Sequence, residues 1–365
     1  MKKLLPEVCT IQYGFPFDSA KFSDSNGMPL IRIRDVVRGY SETYTTEEYK
    51  SEHIVHENDL LIGMDGEFNI AKWGKTPALL NQRVCRLAPK DSIDKDYLFY
   101  FMPVALKRIE EKTPFVTVKH LSAKELNKIE IPVLSLEEQR KIAETLSKVD
   151  ELIAFREQQL AKLDELVKAR FVEMFENVTE ENALENLCHF IDYRGKTPEK
   201  SDSGLPFITA KNIRMHYMSF DTQEFISKKN YDKVMTRGIP KVGDVVFTTE
   251  APLGNVCRIP QFDTDFYIGQ RIITMQTKLL NPVYLEYALS SDDFKRKLVG
   301  KSSGSTVTGI RSKLLGKLTI PVPSKGLQNQ FAAFVERVDQ QKQTVQQSLE
   351  KLELMKKALM QEYFG

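Results

Sequence analysis

The sequence contains one long stretch without glycine or proline, LEEQRKIAETLSKVDELIAFREQQLAKLDELVKARFVEMFE, at residues 136–176. Its apolar residues recur at alternating spacings of four and three, interrupted by Arg156 and Arg170. A second stretch, residues 325–364, has the same spacing and is interrupted by Lys342 and Lys356. A sustained period near 3.5 residues predicts two long helices that pack together as a coiled coil. The apolar positions, called here the seam, are Ile142, Leu146, Val149, Ile153, Leu160, Leu163, Val167, Phe331, Val335, Val338, Val345, Leu349, Leu352 and Leu359.

The two stretches are copies of each other. Residues 131–133, Ile-Pro-Val, recur at 320–322, which is an offset of 320 − 131 = 189. The same offset relates Gln139 to Gln328 and continues without a gap through both helices. Two unrelated amphipathic helices would not keep one offset over so many positions, so the sequence predicts a tandem duplication.

Composition limits the class of protein. The chain has 365 residues, enough for two or three domains, with 41% apolar and 28% charged residues and a formal net charge of +2. A basic surface would therefore have to be local. The four cysteines are far apart, which argues against a disulfide scaffold or a zinc site and favours a reducing compartment. No long apolar stretch follows Met1, so we expect a cytoplasmic protein.

A globular unit precedes each helix. In the first, the pattern predicts a strand with a basic face at residues 29–34, further strands at 59–62 and 84–87, and a helix at 97–111. A short helix capped by Ser122 and a strand at Ile131-Pro132 follow. A second unit, from about Ala183 to Pro323, repeats this order with different loop lengths.

Three short motifs are weak indicators of chemistry. Gly195-Lys196-Thr197 ends like a phosphate-binding loop but lacks the first glycine and is followed by Pro198. Asn281-Pro282-Val283-Tyr284 is similar to the tetrad of amino-methyltransferases, but no glycine-rich cofactor turn accompanies it, so it predicts a helix start capped by Asn281. His53 and His56 lack the acidic or cysteine partners of a metal site.

Basic and polar side chains recur at matching places in the two units. Gln82-Arg83 corresponds to Gln270-Arg271, although such a pair could equally hydrogen-bond a turn. Arginine and asparagine can pair with base edges, and lysine and serine can hold phosphates, so we expect these positions to bind DNA. The candidates are Arg32, Arg34, Lys72, Arg83, Lys119, His120, Lys196, Lys211, Asn212, Arg214, Arg271, Lys301, Ser303, Thr308 and Arg311.

The combination resembles the specificity subunit of type I restriction-modification systems over essentially the whole chain. The repeated Ile-Pro-Val, the segment 136–143, Gly195-Lys196-Thr197-Pro198 and the final residues 358–365 carry the likeness. The second copy departs from it, because residues 326–330 lack the Glu-Gln pair.

The resemblance implies an α/β (α+β) protein with two target-recognition domains with mixed sheets, at residues 1–134 and 178–323. A central long helix at 135–177 and a C-terminal long helix at 324–365 would run antiparallel and hold the domains apart in a pseudo-two-fold repeat. Each domain would recognise half of a split DNA sequence. The helices would dock two methyltransferase subunits, and restriction subunits would join them. The chain itself would be non-catalytic and bind no cofactor or metal; S-adenosylmethionine, ATP and Mg²⁺ would belong to the partners.

Other interpretations remain open at this point. The chain could be a DNA-binding regulator that acts without partners, a coiled-coil scaffold with no DNA role, or a lone methyltransferase. A steep dependence of DNA affinity on salt would separate a DNA-binding protein from a scaffold. Cofactor binding by the isolated chain would support a methyltransferase.

Overall fold

The computed structural model describes residues 1–112, 119–193, 198–302 and 309–365, without the side chains of residues 230, 232 and 234. The chain divides into two compact units. Unit 1 comprises Met1–Gln158 and Gln347–Gly365, and unit 2 comprises Gln159–Gln346. Each long helix therefore contributes one half to each unit.

Unit 1 contains strands and helices in the following order. They are β1 (Lys2–Leu4), α1 (Leu5–Val8), β2 (Cys9–Tyr13), β3 (Phe22–Ser23), β4 (Met28–Ile31), α2 (Ile33–Arg38), β5 (Tyr44–Thr45), β6 (Ile54–Val55), β7 (Leu60–Gly63), β8 (Ile70–Lys72), β9 (Ala78–Leu80), β10 (Val84–Pro89), α3 (Lys95–Lys112), α4 (Ala123–Asn127), β11 (Glu130–Pro132) and the start of α5 (Leu136–Phe175). Short 3-10 turns lie at Ser19–Lys21 and Ser51–His53.

Unit 2 begins within α5 at Gln159 and repeats this plan. Its elements are β12 (Glu181–Ala183), α6 (Leu184–Leu187), β13 (His189–Asp192), β14 (Lys200–Ser201), β15 (Leu205–Ile208), β16 (Ile213–Arg214), β17 (Tyr217–Met218), β18 (Phe225–Ile226), α7 (Tyr231–Val234), β19 (Val245–Thr248), β20 (Val256–Arg258), β21 (Tyr267–Ile268), β22 (Ile272–Gln276), α8 (Pro282–Ser290), α9 (Asp292–Lys301), α10 (Ser312–Gly316), β23 (Thr319–Pro321) and the start of α11 (Lys325–Phe364). A 3-10 turn lies at Lys228–Asn230.

The sheets show the duplication directly. Unit 1 has an antiparallel sheet of order β2-β10-β7-β8, and unit 2 has β13-β22-β19-β20 in the same roles. A second sheet in each unit contains one parallel pair, β4 with β9 and β15 with β21. A two-stranded ribbon, β1 with β11 and β12 with β23, closes each unit just before a long helix begins. The expected mixed α/β fold with two sheet-containing repeats is confirmed.

One local prediction was wrong. Residues 29–34 were expected to form a single strand, but β4 ends at Ile31 and a short helix, α2, follows. The carboxylate of Asp35 accepts the backbone N–H of Arg32 at 2.9 Å, which stabilises the first turn of that helix. Gly39 ends the helix in the left-handed conformation at φ 73°. Arg32 and Arg34 therefore do not share one face of a strand.

The halves of the long helices pack into the core of their own unit. In unit 1, Ala143 and Leu146 of α5 and Phe364 of α11 join the core formed by α3 and the antiparallel sheet. In unit 2, Val167 of α5 and Phe331 of α11 are buried in the corresponding core. All seam residues are buried or half-buried. Burial of this apolar face supplies the stability that a long helix does not have alone.

In each unit, one ion pair joins the two long helices. Asp150 contacts Lys356 at 2.6 Å in unit 1, and Asp164 contacts Lys342 at 2.6 Å in unit 2. The two lysines that interrupt the apolar pattern are thus paired across the helices.

The cysteines are buried free thiols. Burial raises the pKa of each of the four, Cys9, Cys85, Cys188 and Cys257, to about 12. Each thiol therefore stays protonated at neutral pH and behaves as a small apolar core group.

Candidate nucleic-acid interface

Three chain segments meet at the end of β7 in unit 1. The backbone N–H of Met64 donates to the carbonyl of Arg83 at 3.0 Å, and the carbonyl of Met64 accepts the N–H of Leu121 at 2.7 Å. Met64 and Leu121 are buried. The neighbouring residues Asp65 and His120 form an antiparallel bridge. The resulting backbone frame joins these three segments.

Unit 2 builds the same frame from different residues. Thr249 follows β19, donates its N–H to the carbonyl of Arg271 at 3.0 Å and accepts the N–H of Ile310 at 3.0 Å. Glu250 and Gly309 form the matching bridge. The recurrence of Gln-Arg at two equivalent places, noted in the sequence, therefore reflects a shared position in a repeated structure.

Each frame carries an arginine paired with a carboxylate. Arg83 Nη1 lies 3.1 Å from Asp65 Oδ2, and the Arg83 side chain is 52% exposed. His120 Nδ1 lies 2.5 Å from Asp65 Oδ1, so this carboxylate is held from two sides. In unit 2, Arg271 Nε lies 3.5 Å from Glu250 Oε2, and the arginine is 58% exposed. The site thus offers guanidinium donors on a rigid support, with an acceptor beside them.

The remaining candidates of unit 1 divide into exposed and structural cations. Arg32 and Arg34 are exposed, and Arg34 Nη2 donates to Thr43 Oγ1 at 3.4 Å. Lys72 lies 2.8 Å from Asp96 and 5.0 Å from the centre of the Phe99 ring, so it ties β8 to α3. Lys119 donates to the carbonyl of Glu110 at 3.0 Å and connects its segment to α3.

In unit 2, the position of Asn212 differs most from the expectation. Asn212 is buried, and its amide donates to the carbonyls of Ser219 and Thr222 at 3.1 and 2.8 Å. Its oxygen accepts the N–H of Thr209 at 2.9 Å. These bonds satisfy the side chain within the segment 209–222, so we leave Asn212 out of the interface.

The other candidates of unit 2 lie at or near the surface. Lys211 is exposed and lies 3.7 Å from Glu224, while Arg214 donates from Nη1 to the carbonyl of Lys211 at 2.8 Å. Lys301 ends α9, and Arg311 precedes α10; both are exposed. Lys196, Ser303 and Thr308 lie outside the described residues, as does the Gly-Lys-Thr segment.

The tetrad at 281–284 is a helix start, as predicted. Asn281 Oδ1 accepts the N–H of Val283 at 2.9 Å, which caps α8. Tyr284 is buried and donates its hydroxyl to the carbonyl of Pro321 at 2.7 Å. In unit 1, Asp94 and Tyr97 make the equivalent bonds before and within α3. Both segments therefore support the fold.

Two negative findings concern the described part of the chain. Among those residues, no group of three or more histidine, cysteine or acidic side chains could hold a metal ion. Nor is any described helix both long and apolar enough to cross a membrane.

The sequence did not indicate Asp65 and Glu250, the carboxylates beside the two arginines. Asp65 and Glu250 differ in type, and their offset, 250 − 65 = 185, differs from that of the arginines, 271 − 83 = 188. One signal could have located them: in each unit an acidic residue lies two positions after the end of a buried central strand. β7 ends at Gly63 and β19 ends at Thr248.

A comparison with protein families decides the assignment. The family model described as "Type I restriction modification DNA specificity domain" matches residues 1–165 and again residues 179–354. The chain belongs to this family. The two matched segments correspond to the two repeats, so the DNA specificity domain is present twice.

Relatives of the whole chain are specificity subunits. The chain is 28% identical over 377 residues to the EcoBI type I restriction enzyme specificity subunit of Escherichia coli, covering 92% of this chain and 78% of that protein. It is 24% identical over 374 residues to the MjaVIII specificity subunit of Methanocaldococcus jannaschii, covering 91% and 87%. This specificity protein therefore determines the DNA target of a type I restriction-modification complex and is itself a non-catalytic member of it.

Solved structures share the fold. The S subunit of the type I restriction-modification system of M. genitalium has a TM-score of 0.59 and 17% identity, with 100% of this chain and 96% of that chain covered. A chain from a structural study of complex assembly in the type I R-M system has a TM-score of 0.60 and 18% identity, with coverages of 100% and 97%.

Proposed function

We propose that this specificity protein recognises a DNA sequence in two separate parts, one through each unit. The observation that carries this proposal is the duplicated backbone frame, which presents Asp65, Arg83 and His120 in one unit and Glu250 and Arg271 in the other. A shared support with unlike side chains fits two recognition sites of different specificity. The recognition domains would span residues 1–134 and 178–323.

The exposed cations around each frame would hold the DNA backbone. Phosphate contacts fix the position of a protein on the duplex, whereas contacts with base edges carry the sequence information. We assign the phosphate contacts to cations outside the carboxylate–arginine pairs. They are the exposed Arg32 and Arg34 in unit 1 and, in unit 2, the exposed Lys211, Lys301 and Arg311 and the half-exposed Arg214. Lys196, Ser303 and Thr308 remain candidates from the sequence alone.

Three earlier candidates have structural contacts instead. Asn212 is buried, Lys72 bonds to α3 through Asp96, and Lys119 bonds to α3 through Glu110. If one of these side chains turned to DNA, its present partners would lose their hydrogen bonds or ion pair. We therefore assign these three to the stability of the domains.

The partners would be two methyltransferase subunits, docked on the long helices, and restriction subunits. Large apolar side chains support this assignment, because Leu152, Phe155, Leu354 and Met355 are exposed on α5 and α11 within unit 1. Exposed apolar groups on a helix pair are typical of a surface that another protein covers. S-adenosylmethionine would be held by the methyltransferase subunits, which flip the target adenine out of the duplex, and ATP and Mg²⁺ by the restriction subunits.

Mapping of modified bases tests the proposal. The specificity protein would be expressed with the methyltransferase subunits of its own system in a host without other methyltransferases, and the modified adenines would be mapped by sequencing. We expect one motif made of two short specified parts separated by unspecified base pairs. A continuous motif, or one specified part only, would contradict recognition by two units.

A further inference from the structure

The carboxylate–arginine pairs of the two units stand on equivalent backbone frames. Asp65 and Glu250 each follow the residue that donates its N–H to the arginine's carbonyl, Met64 and Thr249 respectively. The backbone atoms of Arg83 are thus fixed by the frame, and the carboxylate restrains the side chain. The same holds for Arg271. The two charged pairs therefore occupy equivalent positions, one in each unit.

Stability does not account for these pairs. Arg83 and Arg271 are more than half exposed, and exposed ion pairs contribute little to folding. The hydrogen bonds of the frame join backbone atoms and do not need either arginine side chain. The pairs therefore point to an interaction outside the chain.

The acidic partner indicates what the arginine contacts. A carboxylate 3.1 or 3.5 Å from the guanidinium would repel a nearby phosphate, which makes these arginines poor phosphate ligands. A base pair has no such charge. In the major groove, guanine presents two hydrogen-bond acceptors that suit an arginine, while cytosine presents an amino group that can donate a hydrogen bond to a carboxylate.

We propose that each pair recognises one G·C base pair in its half of the DNA target. Arg83 and Arg271 donate to guanine O6 and N7. Asp65 and Glu250 are positioning residues that orient the guanidinium. Each carboxylate can also accept a hydrogen bond from the cytosine amino group. This inference rests on the proposed function, because it requires that each unit contacts its own half-site.

The two pairs also differ in a way that separates the half-sites. Asp65 is short, 17% exposed and held by His120, whereas Glu250 has a longer side chain, is 39% exposed and faces Gly309 across the bridge. The guanidinium of Arg83 is therefore more restrained than that of Arg271. We expect the requirement for guanine to be stricter in the half-site of unit 1.

The test uses modification maps of the complete complex. The variants are Arg83→Lys and Arg271→Lys, which keep the positive charge but lose the fork that binds two acceptors, and Asp65→Asn and Glu250→Gln, which keep the size. Arg296→Ala is the control, because Arg296 is also exposed and paired, at 3.3 Å from Asp293, but stands on α9 away from the frame. Thermal unfolding of each complex would be measured in parallel.

The expected result is a loss of preference at one G·C pair. Arg83→Lys should reduce discrimination at that pair by a factor on the order of 5 to 150 and leave the other half-site unchanged. Arg271→Lys should do the same in the other half-site. The two carboxylate variants should relax the same positions less, without a change in unfolding temperature, and Arg296→Ala should leave the motif intact.

Other outcomes would overturn the inference. Weaker modification with an unchanged motif would identify the arginines as phosphate ligands or structural residues. A relaxed position that is not G·C, or changes in both half-sites from one variant, would also contradict it. A wild-type map without two specified parts would instead refute the proposed function, so the two failures are distinguishable.

Discussion

Gln139 and Gln328 occupy the same position in the first turns of α5 and α11. Gln139 is buried, accepts the backbone N–H of Asp94 at 2.7 Å and donates to the carbonyls of Ser92 and Leu134. Gln328 accepts the N–H of Asn281 at 2.8 Å and donates to the carbonyl of Pro323. Each glutamine thus joins a long helix to the start of the helix that follows the antiparallel sheet.

Replacement of these glutamines should destabilise their own unit. In Gln139→Met the volume is similar, but the N–H of Asp94 and two carbonyls lose a buried partner, at a cost of about 1–3 kcal/mol. Gln328→Met should have an effect of the same size in unit 2. Gln158→Met is the control, because Gln158 is exposed on α5. Urea unfolding followed by circular dichroism would measure the change, and equal stabilities of Gln139→Met and Gln158→Met would contradict the role.

At this scale the sequence located the arginines but not their partners. Arg83 and Arg271 share a Gln-Arg motif in the two repeats, which an internal comparison detects. Asp65 and Glu250 differ in residue type, and loops of different length shift their offset. Each arginine meets its carboxylate because the ends of two neighbouring strands, β7 and β10 or β19 and β22, lie side by side in the folded sheet.

Helices were more predictable than short strands. The seam of α5 and α11 repeats over 40 residues in each helix, so its period is unambiguous. The alternation at 29–34 spans too few residues to distinguish a strand from a strand followed by a helix. The hydrogen bond of Asp35 begins the short helix α2 in this segment, and the left-handed Gly39 ends it.

The apolar surface of the long helices leads to a prediction about assembly. In unit 1, Leu152 and Phe155 are 45% and 56% exposed on α5, whereas the position equivalent to Leu152 in unit 2 is the polar Gln341, since 341 − 152 = 189. If this face of unit 1 docks a methyltransferase subunit, Leu152→Lys or Phe155→Lys should weaken that complex roughly tenfold or more, because a charge replaces a buried apolar group.

Gln341→Lys is the matched control for that experiment. It adds the same charge at the equivalent place on α11, where no large apolar side chain is lost. Native mass spectrometry of titrated mixtures would give the affinities and the number of bound subunits. Unchanged assembly of Leu152→Lys and Phe155→Lys would show that the exposed apolar groups of unit 1 do not contribute to docking.

For the whole molecule, duplication was evident in the sequence because one offset of 189 runs through both long helices. The structure extends the duplication to the order of strands in the antiparallel sheets. Topology persists because each strand must bury the same face, whereas the loops that would contact DNA are free to differ. This division is what allows two repeats to have one fold and different targets.

Exchange of one recognition domain tests the central claim most directly. Residues 1–134 would be replaced by the first domain of another family member, and the modified adenines would be mapped with the same methyltransferase subunits. We predict a motif in which one specified part changes and the other, assigned to residues 178–323, stays as it was. Changes in both parts, or in neither, would contradict recognition by two independent units.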